Sequence, residues 1–441
     1  MNKIWGILLL PLVLHAAEFK VGENYSLKSK GNLGVEYWFF PQEEKSKGVT
    51  TLFGELDVSF DNRKNWELRL HPRALIDLEN RDRSRVRPPL IDDLYFNYYT
   101  NAYEIRAGYQ IVSWKTVESY SPADFLNQTD REEDLLDPEK LSELAIRARY
   151  VIHLNREYVF ELFVIPRFRP THLPVEGNKY FFEQIFGTQY KVSNDPDDHV
   201  YLNDLGEWMP QGAIRFQSTY FNFLDLSYFY FFGYDRFPGL RLGSGDQVVH
   251  EYRPAMKSGI TYQGDLGNWL VKGEAVINIF PEQATNARFN PQGTLSNEPM
   301  DVDPYLAYNL GFEYTLYSLI QDDQDVGLIT EFIGDTDWFK GDDEVESFRP
   351  FRSHVFAGLR YSWNSISDRS FLLGGMYNYR LFIEDQESEL FYQAEYQERI
   401  MNNLMVKLRM ADIVVTQDGG ANMLKSFDDK MRFDVEALIS F

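Results

Sequence analysis

Arginine recurs at alternate positions along much of the chain, and this pattern has a clear chemical meaning. In 65–74, Arg69 and Arg73 fall on one side while Trp66 and Leu68 fall on the other. Guanidinium groups lining one wall of a pore create a positive field that favours anionic or hydroxylated solutes. The predicted wall residues are Arg69, Arg73, Arg106, Arg147, Arg149, Arg167, Arg215 and Arg360. The alternative is that these side chains pair with acids on neighbouring strands and only fill a polar interior.

Segment 115–142 is the second feature whose residues could act on a solute. Ser121-Pro122-Ala123-Asp124 and Asp137-Pro138-Glu139-Lys140 each follow the order of a helix start, so two short helices are expected. Folded into a pore, the segment would constrict it and turn its carboxylates toward the arginines. Otherwise it caps the molecule from outside. The constriction candidates are Asp124, Glu132, Glu133, Asp134 and Asp137.

No residue pattern predicts catalysis. An outer-membrane lipase or protease would need a Ser or Asp beside a positioned His. His71, His153, His250 and His354 are isolated, with no evident Ser or Asp partner in the sequence, and no GxSxG occurs. The chain has no cysteine for thiolate metal sites, and its acidic loops match no EF-hand spacing. We therefore predict no enzyme, no cofactor and no metal site.

The elements that must position these residues are long strands. Apolar and polar residues alternate with period two over ten or more residues, as membrane-spanning strands of about 9–11 residues require. Eighteen segments have this pattern: 31–40, 50–61, 65–77, 90–100, 103–114, 143–154, 157–167, 211–221, 223–234, 253–263, 267–280, 305–317, 326–335, 351–363, 370–384, 389–401, 403–415 and 430–441.

Short connections alternate with long ones along the chain, as in outer-membrane barrels with short periplasmic turns and long extracellular loops. The sequence thus predicts an all-β fold, a single transmembrane antiparallel β-barrel of about 18 strands (16–18). Closure of the barrel pairs every backbone N–H and C=O in hydrocarbon. The longest loop, 168–210, is a second candidate constriction.

Both chain ends support an envelope location. Residues 1–17 have a basic start, an apolar run from Ile4 to Leu14 and small residues before Glu18, as in a secretory signal peptide. Residues 18–441 form the predicted barrel. The alternating last strand ends on Phe441, which resembles the terminal signal that barrel-assembly machinery reads. We expect the outer membrane as location, with its lipid and lipopolysaccharide as partners.

Composition excludes other classes. The formal charge is −23, with 67 Asp and Glu against 44 Lys and Arg, so nucleic acid is not an expected partner. Aromatic residues make up 16% of the chain, too many for a disordered acidic protein. Rings with polar tips suit the lipid–water boundary.

One region resembles a known family. Gly108-Tyr109-Gln110-Ile111-Val112-Ser113-Trp114, followed by Ser121-Pro122-Ala123-Asp124-Phe125, is similar to a strand end and turn in uncharacterised Gram-negative outer-membrane barrels. Pro166-Arg167-Phe168-Arg169-Pro170 and Leu173-Pro174 resemble that family's strand exit. The resemblance covers 94–182 and implies a large porin-like barrel, related in pattern to export porins, without known catalytic residues.

The resulting functional hypothesis is a porin-like channel or transporter for small or envelope-related solutes, constricted by loops 115–142 and 168–210. The alternative is an outer-membrane component of an envelope export system, or a surface binding barrel without an open pore.

Overall fold

The computed structural model describes residues 17–22, 24–42, 48–78, 91–131, 138–171, 173, 191–289, 295–299, 303–319, 321, 323–337, 351–379, 389–415 and 431–441. These residues form eighteen long antiparallel strands, each hydrogen-bonded to the next, in a closed barrel. Two 3-10 helices of three residues each, Pro196–Asp198 and Gly206–Trp208, are the helical segments in these ranges. No helix among the described residues is long and apolar enough to cross a membrane.

Every segment predicted from alternation overlaps one barrel strand, so the predicted fold class is confirmed. The strands are β1 Tyr25–Phe39, β2 Gly48–Asp61, β3 Trp66–Asp77, β4 Ile91–Tyr99, β5 Tyr103–Gln110, β6 Glu143–His153, β7 Glu157–Ile165, β8 Gln211–Tyr220, β9 Leu224–Tyr234, β10 Pro254–Leu266, β11 Trp269–Ile279, β12 Tyr305–Leu316, β13 Gln324–Asp335, β14 Ser353–Trp363, β15 Ser370–Asn378, β16 Glu389–Met401, β17 Leu404–Val415 and β18 Arg432–Ser440.

The barrel closes where β1 meets β18. Asn32 pairs with Ser440, and the register continues to the pair of Phe39 with Phe433. Beyond the last strand residue, Gly31 N donates to Phe441 O (2.8 Å) and Phe441 N donates to Gly31 O (2.9 Å). The terminal residue is therefore part of the seam, and no strand edge of the membrane-spanning sheet is left open.

Alternation places apolar side chains on the outer face and polar ones inside. On β7, Phe160, Leu162 and Val164 are more than 40% exposed, while Glu161 and Phe163 between them are buried. Outward apolar groups are stable against lipid, whereas the charged groups need the water or counter-charges of the interior. This arrangement, repeated on all sides, makes the molecule a transmembrane barrel of the outer-membrane type.

The short connections lie at one end, the periplasmic end by the rule for such barrels. The turn between β2 and β3 shows how the sequence specifies one. Asn62 Oδ1 accepts hydrogen bonds from the backbone of Lys64, Asn65 and Trp66, an Asx-type arrangement that reverses the chain.

Next to these turns, an outward row of rings forms part of an aromatic belt. Its members are Tyr25, Phe60, Trp66 and Phe96, with centroids 5.6–6.1 Å apart along the row.

The first strand is longer than the sequence predicts, beginning at Tyr25 rather than at 31. Its periplasmic part has no partner on β18, and Ala17–Val21 pairs there instead, in register with Tyr25–Ser29. The predicted signal peptide 1–17 falls on residues outside the described ranges except for Ala17, so it stays a prediction.

At the opposite end, loop segments form small sheets. Lys191–Val192, Val200–Tyr201 and Gly239–Leu242 all pair with Gln247–Tyr252. Thr285–Phe289 pairs with Leu295–Pro299. Strand pairing thus joins the described residues 191–201 of loop 168–210 to the loop that follows β9.

Gly31 is a close-approach position that can be tested. A Cβ atom at Gly31 would lie 2.7 Å from the Glu55 backbone oxygen and 2.7 Å from Phe441 Cζ. We expect Gly31→Ala to lower the free energy of unfolding by about 1–3 kcal/mol, because the seam must open to admit the methyl group. Urea unfolding in detergent, followed by the folded-band shift on electrophoresis, measures this. Gly375→Ala is the control, since its Cβ has 3.5 Å to the nearest atom. Equal stability of both variants would contradict the close-approach argument.

Candidate functional site: the lumen and its inward loop

The described residues between β5 and β6 fold into the barrel, and we call these residues, 111–131 and 138–142, the inward loop. Trp114 and Phe125 are buried against Phe163 of β7 and Phe229 of β9, whose side chains point inward. The Trp114 ring centroid lies 5.8 Å from that of Phe163 and 5.2 Å from that of Phe229. An aromatic cluster inside the barrel therefore holds the first part of the loop.

The turn into the barrel begins earlier than the strand prediction 103–114 implies. Gly108 has a φ of +136°, a backbone conformation that residues other than glycine rarely adopt. The strand β5 ends two residues later, at Gln110. The next residues pair with the loop itself, since Val112 N donates to Asn127 Oδ1 (2.8 Å). The chain thus leaves the barrel wall after Gln110, whereas the predicted strand continues to 114.

Glu274 on β11 is the first anchor of the loop. Its carboxylate accepts hydrogen bonds from Thr116 N (2.7 Å), Thr116 Oγ1 (3.0 Å), Ser121 Oγ (2.6 Å) and Ala123 N (3.0 Å). Such charge-assisted bonds are about twice as strong as neutral ones. A buried carboxylate on the wall therefore takes the place of the backbone partners that the loop lacks.

Glu331 on β13 is the second anchor and is fully buried. It accepts from Glu118 N (2.6 Å), Ser119 N (2.9 Å) and the Ser119 hydroxyl, and from Asn309 Nδ2 (3.1 Å). The loop leaves the wall at β5, and β13 is eight strands further along the barrel. Because eight of eighteen strands is almost half the circumference, the loop crosses the lumen.

Charge pairing strengthens the same crossing. Glu118 of the loop lies 3.0 Å from Lys272 Nζ and 3.1 Å from an Arg360 nitrogen, measured to its carboxylate oxygens. Burial raises the pKa of Glu118, but Lys272 and Arg360 outweigh this, so its pKa is below the ordinary value. Glu118 therefore remains ionised at neutral pH and holds the loop against the wall.

The prediction of two short helices in this loop is wrong. Ser121–Asp124 forms turns, and Ser121 uses its hydroxyl on Glu274 instead of capping a helix. At the second predicted start, Glu139–Lys140 is extended and pairs with Thr129–Asp130. Anchoring to the barrel wall overrides the local capping preference in the first case, and strand pairing does so in the second.

Asp124 has a structural role in the loop. It accepts from Ser113 Oγ (3.2 Å) and Trp114 N (3.2 Å) and is paired with Lys140. Burial, the largest effect, lowers the pKa of Lys140, while Asp124 opposes that shift. The other constriction candidates Glu132, Glu133, Asp134 and Asp137 lie outside the described residues, so their part in a constriction stays a prediction.

Seven of the eight predicted wall arginines lie against a carboxylate. The pairs are Arg69 with Asp57 (2.9 Å), Arg73 with Asp92 (3.9 Å) and Glu139, Arg106 with Glu104 (3.0 Å), Arg147 with Glu161 (3.0 Å), Arg215 with Glu161 (3.8 Å), Arg167 with Glu207 (2.9 Å) and Arg360 with Glu118 (3.1 Å). Arg149 is the eighth, and no carboxylate of the described residues lies within ion-pair distance of it. These contacts are the pairing with acids that the sequence analysis gave as the alternative to a positive wall. The predicted arginines therefore make the lumen wall at most partly positive.

Arg167 does not lie on the lumen wall. It follows the end of β7 and packs on the Trp208 ring, with its guanidinium carbon 5.2 Å from the ring centroid. The prediction extended β7 to 167, but the strand ends at Ile165, so the alternation no longer determines where Arg167 points.

A cavity of about 570 Å³ lies between the inward loop and the far wall. Its wall side over β13–β17 carries an apolar patch beside the charged residues Arg360, Glu389, Glu395 and Arg409. The lining side chains there include Ile329, Phe356, Met376, Phe391 and Ile413. Tyr120 of the loop packs on this side, with its ring centroid 5.4 Å from that of Phe351.

The loop side of the cavity carries Arg131. Its guanidinium carbon lies 4.9 Å from the Phe237 ring centroid, and burial lowers its pKa to about 10. No carboxylate among the described residues lies within ion-pair distance of this side chain. Arg131 is therefore a cationic group that faces the cavity without a local counter-charge in the described part of the chain.

Solved structures share this architecture. OccAB1 of Acinetobacter baumannii matches over 97% of this chain and 98% of its own, with a TM-score of 0.50 and 10% identity. The chain has the fold of an outer-membrane porin. Two further matches are the BenF-like porin from Pseudomonas fluorescens (TM-score 0.49, 8% identity, 94% of this chain and 98% of that one) and OmpF of Salmonella typhi in complex with daunomycin (0.46, 8%, 96% and 100%). No protein-family model and no curated protein matches the sequence.

In this porin barrel, Glu274 and Glu331 lie outside the set of residues predicted to act in the pore. Their anchoring role had one signal, the hydroxyl-rich stretch Ser113–Ser121 that needs acceptors inside a barrel. His71 is a second omission. It was expected to be isolated, yet its Nε2 lies 3.5 Å from Glu55 Oε2, on the neighbouring strand.

Loss of the Glu331 anchor should loosen the loop of the porin barrel. In Glu331→Ala, two backbone N–H groups and a hydroxyl lose their acceptor, which costs about 1–3 kcal/mol of local stability. We expect faster proteolysis within 111–142 of the folded protein, read by mass spectrometry. Glu436→Ala is the control, because Glu436 is an inward carboxylate paired with Lys407 and away from the loop. Unchanged protection in Glu331→Ala would show that the carboxylate does not hold the loop.

Proposed function

We propose that this porin-fold chain is an outer-membrane channel that passes small solutes between the inward loop and the wall of β13–β17. The observation that carries the proposal is the loop fastened across the lumen at Glu274 and Glu331. A segment held in this way narrows the passage without filling it, since the cavity of about 570 Å³ remains beside it. A passage with fixed groups on both sides selects solutes by width and charge.

The chemistry of the cavity favours a solute with an apolar body and an anionic group. The apolar patch of Ile329, Phe356, Met376, Phe391 and Ile413 supplies contact surface, while Arg131 supplies a cationic group across the cavity. A buried cation without a counter-charge attracts an anion more strongly than an exposed one, because water screens it less. Thr171 and Leu173, from the loop after β7, also line the cavity and give that loop a part in the constriction.

The channel proposal is tested by planar-bilayer conductance of the folded chain. We expect discrete openings in potassium chloride, and a several-fold larger conductance after deletion of 118–139 because the crossing segment is gone. The electrophoretic folded-band shift checks that the deleted chain still forms a barrel. A barrel that conducts neither with nor without the segment would instead support the alternative, a surface or export-complex barrel without an open pore.

Ion selectivity tests Arg131. We expect Arg131→Gln to lower the chloride-over-potassium permeability ratio by about twofold or more, because the cavity loses its uncompensated cation. The reversal potential in a salt gradient measures the ratio. Arg167→Gln is the matched control, since it removes the same charge from a side chain outside the lumen. An equal change in both variants would attribute the effect to overall charge, and no change would remove Arg131 from the path.

A further inference from the structure

Three neighbouring strands, β2, β3 and β4, bring together an imidazole and two carboxylates. Glu55 lies on β2, His71 on β3 and Asp92 on β4, and one donor atom from each lies within 4.8 Å of the other two. His71 Nε2 and Glu55 Oε2 are 3.5 Å apart. The group is formed only when the three strands pair in this register.

A β-bulge turns Asp92 toward the other two residues. His71 pairs with Asp93, while the next residue, Pro72, pairs with Ile91. Asp92 is therefore the extra residue of the bulge and departs from strict alternation. Both Asp92 and Asp93 reach arginines of the inner wall, Arg73 (3.9 Å) and Arg69 (3.8 Å). Bulges of this kind re-aim side chains at functional sites.

We propose that Glu55, His71 and Asp92 bind a divalent first-row transition-metal ion on the lumen wall, beyond any role of the barrel as a channel. Imidazole with carboxylates suits Zn²⁺ and its neighbours rather than Ca²⁺, which takes oxygen ligands. With metal–ligand bonds of about 2.0–2.2 Å, donors around one ion lie roughly 3–3.6 Å apart, so small side-chain rotations complete the site.

Neighbouring groups orient the ligands. Asn32 Nδ2 donates to Glu55 Oε1, which leaves Oε2 directed at His71. Arg73 lies near Asp92 but is engaged more closely by Glu139 of the inward loop. Partners of this kind fix the direction of a ligand before the ion arrives.

An excess of negative charge around the three residues also favours binding of a cation. The carboxylates of this part of the wall are Glu55, Asp57, Asp92, Asp93 and Glu139, and the fixed cations in contact with them are Lys30, Arg69 and Arg73. Within these contacts of the described residues, five carboxylates meet three fixed cations, and a divalent ion would balance the difference. Arg106 and Glu104 beside them pair with each other and leave the balance unchanged.

The site is open to the lumen. The side chains of His71, Glu55 and Asp92 are 19%, 28% and 21% exposed. Three protein ligands leave coordination positions for water, as in exchangeable sites. The ion would enter from the lumen water and lie at the height of the inward loop, because Arg73 beside Asp92 contacts Glu139.

Zinc titration of the refolded, tag-free full chain in detergent, free of lipopolysaccharide, tests the site by calorimetry. We expect one Zn²⁺ per chain, and at least about tenfold weaker binding in His71→Ala and in the nearly isosteric Asp92→Asn. His153→Ala is the matched control. His153 also has a carboxylate neighbour, with its Nδ1 3.5 Å from Glu157 Oε2, but it lies at a periplasmic turn and outside the triad.

The outcomes separate clearly. Weaker binding in both triad variants with an unchanged control supports the site, and the folded-band shift confirms that each variant is a barrel. Absence of binding, or binding that His153→Ala weakens as much as His71→Ala, overturns it. Loss in His71→Ala but not in Asp92→Asn also overturns it, because a His–Glu pair alone would then suffice. None of these results depends on whether the barrel conducts.

Discussion

The structure depends on one constraint, that backbone N–H and C=O groups in hydrocarbon must find partners within the chain. Eighteen antiparallel strands meet it only because β1 and β18 pair from Asn32 to Phe39, with Phe441 completing the seam on Gly31. Closure also creates an interior that lipid cannot reach. Everything polar that the strands direct inward must therefore be matched by water, by neighbouring strands or by the inward loop.

The inward loop shows how the interior is filled. Its backbone has no sheet to join at the centre of the lumen, and Glu274 and Glu331 supply the acceptors that a sheet would have supplied. Its rings pack on inward Phe163 and Phe229, so apolar and charged contacts act on the same segment. The result is a lumen with two unlike sides. The β2–β4 side carries an excess of carboxylates, and the β13–β17 side carries an apolar patch that Arg131 faces across the cavity.

Much of the fold could be predicted because the alternation of a membrane strand is a local property. Each predicted segment overlaps one barrel strand, and the even strand number agreed with the alternation of short and long connections. Prediction was weaker where alternation ends. The start of β1 was missed because Ala17–Val21, not β18, pairs with it. Arg167 was placed on the wall because β7 was extended past Ile165, and Ser121 was assigned to a helix because its distant acceptor was not visible.

The sequence alone determined the strands, the side that strand residues outside the bulge face, the closed barrel and its membrane setting, because all of these follow from period two and from the solvent on each side. The tertiary structure decided which charges meet. Pairing of Arg69 with Asp57, anchoring of the loop by Glu331 and the approach of Asp92 to His71 depend on strand register, on one bulge and on a loop that crosses the lumen. These contacts join residues from 12 to more than 200 positions apart, and no local pattern records such distances.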